Sequence, residues 1–255
     1  MKIALCVKQV PDTSDIKWTE NNTMKREGVE SILNPYDVYA TELALKLKHS
    51  YGAEITVFSM GVMQAKQMLK DIIALGVDEG VLISDKKFAG ADTYATGKTV
   101  SAAIKHVLPD FDLIICGQFA IDGDTAQTGP CIASMLDIPQ VTFVQSVKDV
   151  REKEIMLTRV LDDGIETVNV KTPAVICVLK DTFEPTRAKI DGIINAQNKE
   201  IRVITLEDLG IDADSVGIKG SPTYVSKAFR PVNTRESRVC GDINEFAEKL
   251  KGVLS

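Results

Sequence analysis

Six short, almost uninterrupted apolar runs constrain this chain more than any other feature: residues 3–10, 55–60, 80–84, 113–117, 141–147 and 174–179. Strands without polar alternation are covered on both faces, and runs that alternate with helical patterns pair in parallel between two helical layers. The expected fold is α/β, a three-layer, Rossmann-like sandwich with a mostly parallel sheet. At 255 residues, 44% hydrophobic and 26% charged, the chain suits one large domain or one domain with a tail.

The helical stretches carry their own punctuation. Asn34 stands as N-cap before Pro35, with Asp37 in the first turn, and this helix is expected to run to about His49. Ala65, Met68, Leu69, Ile72 and Ile73 form one face of a second helix that Gly76 can end. A third starts at Asp92 and presents Thr96, Val100, Ala103, Ile104 and Val107 before Pro109 closes it. Residues 154–160 and 165–170 flank LDDG, where Asp163-Gly164 signals a β-hairpin.

From Lys199 the pattern weakens. Residues 219–238 are polar, contain Pro222 and Pro231, and read as an extended arm. Asp242 can then cap a helix with Ile243, Phe246, Ala247, Leu250 and Leu254 on one apolar face, which needs a partner surface. The expected division is a nucleotide-binding domain at 1–200 and an arm with its helix at 201–255.

Several function classes are disfavoured. A formal charge of -6 argues against nucleic acid, whose phosphates are held chiefly by clustered Lys and Arg. MKIALCVKQVPDT is too short in its apolar part for a signal peptide or membrane span, so a cytoplasmic location is expected. Cys6, Cys116, Cys131, Cys177 and Cys240 form no CxxC pair, and His49 and His106 are the only histidines, so neither a metal site nor a disulfide framework is expected. No assembled acid–base group suggests a self-sufficient catalyst, so hard chemistry would come from a cofactor.

Neither a P-loop nor GxGxxG follows the first run. Four segments instead fall at expected strand C-termini: CVKQVPDT (6–13), SMG (59–61), FAGADTYATG (88–97) and IDGDTAQTG (121–129). Ligands of open α/β sheets bind beyond that edge. In IDGDTAQTG, small residues admit close backbone approach, Thr125 and Thr128 offer hydroxyls, and the following helix offers free N–H groups. Asp122 and Asp124 would repel phosphate unless they are turned away, and a capped surface loop is the alternative reading.

In order, CVKQVPDT, NPYDVYATELALKLK, SMG with QAKQMLKDIIALGVDE, IDGDTAQTGP, LDDGIETVNVKTPAVI and EPTRAKIDGIINAQNKEI resemble successive motifs of electron-transfer flavoprotein beta subunits. The resemblance spans most of the chain. It implies an adenine-nucleotide crevice in this chain and an alpha subunit that carries FAD. The cofactor-binding residues it suggests, together with the strand-end positions, are Cys6, Val7, Lys8, Asn34, Asp37, Ser59, Met60, Gly61, Ala91, Asp92, Thr93, Thr96, Gly117, Gln118, Asp122, Gly123, Asp124, Thr125, Ala126, Gln127, Thr128 and Gly129.

FAGADTYAT with DGDTAQTGP resembles the FAD-binding loops of electron-bifurcating, anaerobic members more than the DDDCNQTG type of AMP-holding ones. That resemblance implies FAD in the crevice, hydride from NADH, and electrons divided between ferredoxin or flavodoxin and an acyl-CoA or hydroxy-acid dehydrogenase. Such activity would exist only within the complex. EPTRAKIDGIINAQ resembles the family's partner-recognition loop, with Ile190 as the inserted side chain and Arg187 and Lys189 beside it. Two other readings stay open: a simple electron carrier with structural AMP, and a stand-alone adenine-nucleotide sensor.

Overall fold

Continuously apolar strands can be solvated on neither face, and the computed structural model shows both faces covered. It describes residues 1–12, 17–18, 24–25, 30–226 and 239–254. In chain order the strands and helices are β1 (Lys2–Cys6), β2 (Gln9–Pro11), β3 (Lys17–Trp18), β4 (Met24–Lys25), β5 (Ser31–Leu33), α1 (Pro35–Tyr51), β6 (Glu54–Met60), α2 (Ala65–Ala74), β7 (Glu79–Ile83), α3 (Thr93–Val107), β8 (Leu113–Gly117), α4 (Thr128–Leu136), β9 (Gln140–Arg151), β10 (Glu154–Leu161), β11 (Gly164–Lys171), β12 (Ala174–Val178), α5 (Ile190–Asn198), β13 (Arg202–Ile204), α6 (Leu206–Leu209), α7 (Gly217–Gly220) and α8 (Ile243–Leu254).

One sheet runs in the order β11-β10-β9-β12-β8-β1-β6-β7-β13. Neighbours from β9 to β13 along this order are parallel, while β10 pairs antiparallel with both β9 and β11. Alternate side chains sort into two cores. Ile3, Leu5, Leu113, Ile115 and Ile176 join Leu43, Leu47, Leu69 and Ile72 of α1 and α2, whereas Ala4, Phe58, Ile114 and Val175 join Val100, Ile104, Ile132 and Ala133 of α3 and α4. The expected three-layer α/β sandwich with its hairpin is therefore the fold. Because β1 lies between β6 and β8, the chain reverses its direction of sheet growth there, which opens a crevice at the strand C-termini.

Several boundaries differ from expectation. The run 3–10 divides: the Lys8 N–H leaves the ladder for the Asp37 carboxyl at 2.7 Å, and Gln9–Pro11 pairs antiparallel with Ser31–Leu33 instead. The run at 141–147 extends to Arg151 because β9 passes from parallel pairing with β12 into the antiparallel hairpin. Leu161 pairs with Gly164, so the hairpin turn is Asp162-Asp163, one residue before the expected pair.

α1 continues to Tyr51, where left-handed Gly52 ends it. Asn34 occupies the N-cap position but makes no side-chain cap. α2 stops before Gly76, and Asp92 caps α3 through the Ala95 N–H, both as their residue patterns predict. Past residue 200, Arg202–Ile204 adds an edge strand beside β7, with Ile201, Ile204 and Val216 buried. Three residues are too few to show a period. The expected arm falls partly outside the described residues, at 227–238. Asp242 does cap α8, accepting from the N–H groups of Asn244 and Glu245.

Candidate crevice at the sheet switch point

The crevice is built on glycines and buried polar groups at the C-terminal ends of β1, β6 and β8. A side chain at Gly117 would meet Asp37 Oδ1 at 2.5 Å and Tyr36 Cβ at 2.6 Å, so β8 can end against α1 only as glycine. At Gly129 a Cβ would lie 2.4 Å from Cys177 Sγ and 2.9 Å from Cys116 Sγ, so the first turn of α4 is pressed onto the strand ends. Gly97 similarly lets α3 approach Cys131 of α4. These close approaches bring two helix N-termini to one sheet edge.

Asn34 and Asp37 hold the crevice walls. Asn34 donates through Nδ2 to the Phe119 carbonyl at 2.8 Å and accepts from the Ile121 N–H at 3.2 Å. It therefore clamps the loop that a capping role would have left free. Buried Asp37 accepts from the Lys8 N–H at 2.7 Å and the Gly117 N–H at 3.0 Å, tying the segment that leaves β1 to the end of β8. Burial pushes its carboxyl up to about 7, against the pull of the Lys8 N–H, the Asn34 side chain and the Gly117 N–H. Burial, and then the Asp37 charge, also holds the Cys6 thiol far above its ordinary value, so Cys6 remains protonated.

The 121–129 loop is the candidate anion site. Lys8 Nζ reaches both oxygens of Asp122, at 2.8 and 2.7 Å, and so balances the charge that would repel phosphate. Asp124 and Ala126 adopt positive φ of 49° and 55°, a costly conformation for side chains other than glycine and one that curls backbone N–H groups into a concavity. Among the described residues, none accepts from the N–H groups of Thr125, Ala126 or Gln127. Gly123 and Asp124 are different, because their N–H groups close on the Ala120 carbonyl.

The remaining candidates take distinct places. Val7 is buried, and Met60 and Cys6 are half-buried at strand ends. Ser59 Oγ is buried and has no hydrogen-bond partner among the described residues, an orphan polar atom beside Met60 at this edge. The Gly61 N–H is used by the Ile83 carbonyl. Ala91 and Thr96 are half-buried around the start of α3, and Thr93 Oγ1 lies 3.1 Å from Gln127 Oε1, linking α3 to the loop. Burial opposes ionisation of Asp92, yet the N–H of Ala95 and the hydroxyl and N–H of Thr223 hold its carboxyl below the usual range. Its oxygens are thus engaged within the chain.

Gln118 is also engaged elsewhere: its side-chain oxygen accepts from the Phe143 N–H at 2.6 Å, beside the bulge where Phe143 has φ of 58°. Phe143 stacks edge-on with Phe119, which does the same with Tyr36. This aromatic wall was not foreseen, because its three members are far apart in sequence and each looks like ordinary core. Ile190, Arg187 and Lys189 are not at the crevice. Gly192 of α5 rests on the Ala74 carbonyl at the far end of α2, which places the group toward the opposite sheet edge.

Two open depressions, of about 490 Å³ beside Tyr39, Asp181 and Pro185 and about 520 Å³ beside Glu79 and Arg202, lie away from the switch point. The crevice is the better candidate because its polar groups converge and its glycines admit backbone contact. Among the described residues, no group of three or more His, Cys, Asp or Glu could hold a metal ion.

The electron transfer flavoprotein domain family matches residues 21–209. The chain belongs to the electron transfer flavoprotein family. The electron transfer flavoprotein subunit beta of Thermoanaerobacterium thermosaccharolyticum is 43% identical over 253 residues, covering 98% of this chain and 96% of that one. The caffeyl-CoA reductase-Etf complex subunit CarD of Acetobacterium woodii is 42% identical, with 91% and 88% covered. The acryloyl-CoA reductase electron transfer subunit gamma of Anaerotignum propionicum is 43% identical, with 91% and 89% covered. Membership of the electron transfer flavoprotein family implies a flavin or related adenine nucleotide as cofactor, and the switch-point crevice is its candidate site. No helix among the described residues is long and apolar enough to cross a membrane.

Proposed function

We propose that this chain is the beta subunit of a heterodimeric electron-transfer flavoprotein and binds FAD at the switch-point crevice. The observation that carries the reading is the 121–129 loop, which joins charge-balanced Asp122, free N–H groups at Thr125 to Gln127, and Gly129 packed against the strand ends. The Thr125–Gly129 backbone would receive the pyrophosphate, with Lys8 at the rim. Cys6, Val7, Met60 and the orphan Ser59 Oγ stand where the adenosine half would lie.

FAD bound there would supply two-electron acceptance from NADH and one-electron delivery to ferredoxin or flavodoxin and, through an alpha-subunit FAD, to a dehydrogenase. The chain's own contribution is placement: Asn34 and Asp37 fix the crevice walls, and Gly117 and Gly129 let backbone approach the ligand. Two relatives bear names of CoA-thioester reductase systems, which favours an acyl-CoA substrate for the partner enzyme over a hydroxy acid. Ile190, 76% exposed, is the docking side chain for that enzyme, flanked by Arg187 and Lys189. α8 carries exposed Ile243, Phe246 and Leu250 and would cover the alpha subunit at the end of the arm. A cytoplasmic location accords with these partners.

The test is acid release and chromatography of the nucleotides in the purified alpha–beta complex. Two FAD per heterodimer supports the proposal and calls for an assay of NADH-driven ferredoxin reduction. One FAD with one AMP would instead make this a carrier subunit with a structural nucleotide.

A further inference from the structure

α1 does more than wall the crevice. Tyr39, Glu42 and Lys46 lie at i, i+3 and i+7, one stripe along the helix, and all three grip the segment that leads from β12 to α5. Tyr39 donates its hydroxyl to Asp181 Oδ1 at 2.9 Å, and Lys46 Nζ stands 3.8 Å from the centre of the Phe183 ring. Between them Glu42, only 3% exposed, accepts from the Thr186 N–H at 2.6 Å and from the Thr186 hydroxyl at 2.8 Å. A carboxyl so buried needs strong partners, and the bonds found here for both its oxygens go to one residue.

The second anchor lies beyond Ile190. A side chain at Gly192 would come within 2.3 Å of the Ala74 carbonyl, and Lys70 Nζ donates to the Gln197 carbonyl at 2.9 Å, so α5 is seated tightly on α2. Ile190, Ile193 and Ile194 nevertheless remain exposed, at 76%, 47% and 56%. Arg187, Lys189 and Ile190 are therefore held between a pinned Thr186 and a seated α5. A rigid apolar presentation lowers the ordering cost of docking.

We propose that Glu42 is a positioning residue for partner recognition: through Thr186 it fixes the 181–189 segment along α1 and so sets where Ile190 stands. The inference rests on the reading of Ile190 as the docking side chain. Because Asp37 of the same helix ties the segment after β1 to the end of β8, α1 is a common strut for the candidate crevice and the docking segment.

The test compares Glu42→Ala, Glu42→Gln, Thr186→Val and Ile190→Ala in the full alpha–beta complex. The probe is an acyl-CoA dehydrogenase that the unmodified complex couples to. Glu42→Ala and Thr186→Val should raise the KM for the complex about fivefold while leaving kcat within about twofold and nucleotide content unchanged. Amide exchange across 181–189 should rise about tenfold in both. Glu42→Gln, which keeps an acceptor for the Thr186 N–H, should recover most of the KM. The proposal is overturned if Ile190→Ala raises KM while Glu42→Ala and Thr186→Val do not, or if exchange across 181–189 is unchanged. A Glu42→Ala that loses nucleotide and coupling together, with a silent Thr186→Val, overturns it as well. An Ile190→Ala without effect sinks the docking reading itself, and this inference with it.

Discussion

The crevice edge and the outer helices present opposite chemistries. At the crevice, polar side chains are buried and engaged within the chain: Asn34 is 1% exposed and Asp37 5%, and both bind backbone groups. On α5 and α8 large apolar side chains stand outside, with Ile190 at 76%, Ile243 at 79% and Phe246 at 54%. A surface that spends buried polar groups on its own backbone is preorganised for a small ligand, whereas exposed apolar stripes gain by covering another protein. Damage should therefore separate cleanly: at the crevice it should cost nucleotide and stability together, and on the helices it should cost association alone.

The strongest way to break this contrast is Gly129→Val. Its side chain would overlap the Cys116 and Cys177 sulfurs, so we expect about 3 kcal/mol or more of destabilisation, by overpacking, and loss of the crevice nucleotide. Denaturant titration with nucleotide analysis checks this, and a variant that kept its nucleotide would refute the tight seating of α4.

Asp37 sharpens the contrast through pH. Its folded value of about 7 lies above the ordinary 3.8, so its stabilising contribution is fully present below about pH 4 and is lost as pH rises through about 7. The stability of the parent chain minus that of Asp37→Asn should fall by roughly 4 kcal/mol between pH 4 and 8, read by chemical denaturation. A flat difference would mean that Asp37 stays ionised.

On the outside, Phe246→Ser with Leu250→Ser should change the stability of the isolated chain by no more than about 0.5 kcal/mol. The same pair should weaken association with the alpha subunit about tenfold, measured by calorimetry. Equal affinity would remove α8 from the interface. The smallest effect is expected from Lys8→Ala. Its half-exposed ion pair with Asp122 is worth no more than about 1 kcal/mol of stability. Nucleotide affinity should still fall several-fold as Asp122 is left unbalanced, and a binding titration in rising salt should narrow the gap between parent and variant.

Much of this organisation was legible in the residues. The uninterrupted runs at 55–60, 113–117 and 174–179 announce buried parallel strands, because only a sheet covered on both faces tolerates them. Asp92 and Asp242 announce caps through local chemistry that each helix start completes by itself. Asn34 looked equally like a cap, but the Ile121 N–H, 87 residues away, takes the side-chain oxygen that a cap would use. The short edge strand β13 shows no period because its place is set by β7 rather than by its own residues.

The sequence by itself determined the layered α/β fold, the sheet edge at which the candidate loops gather, and the family to which the chain belongs. Each depends on near-neighbour patterns: hydrophobic period, capping residues and ordered motifs. Only the tertiary structure decided that Lys8 balances Asp122, that Asp37 is buried between two strands, and that Glu42 grips Thr186 from 144 residues away. A buried polar group takes whichever partner the packed fold brings within bonding distance, and that choice is made in space, not along the chain.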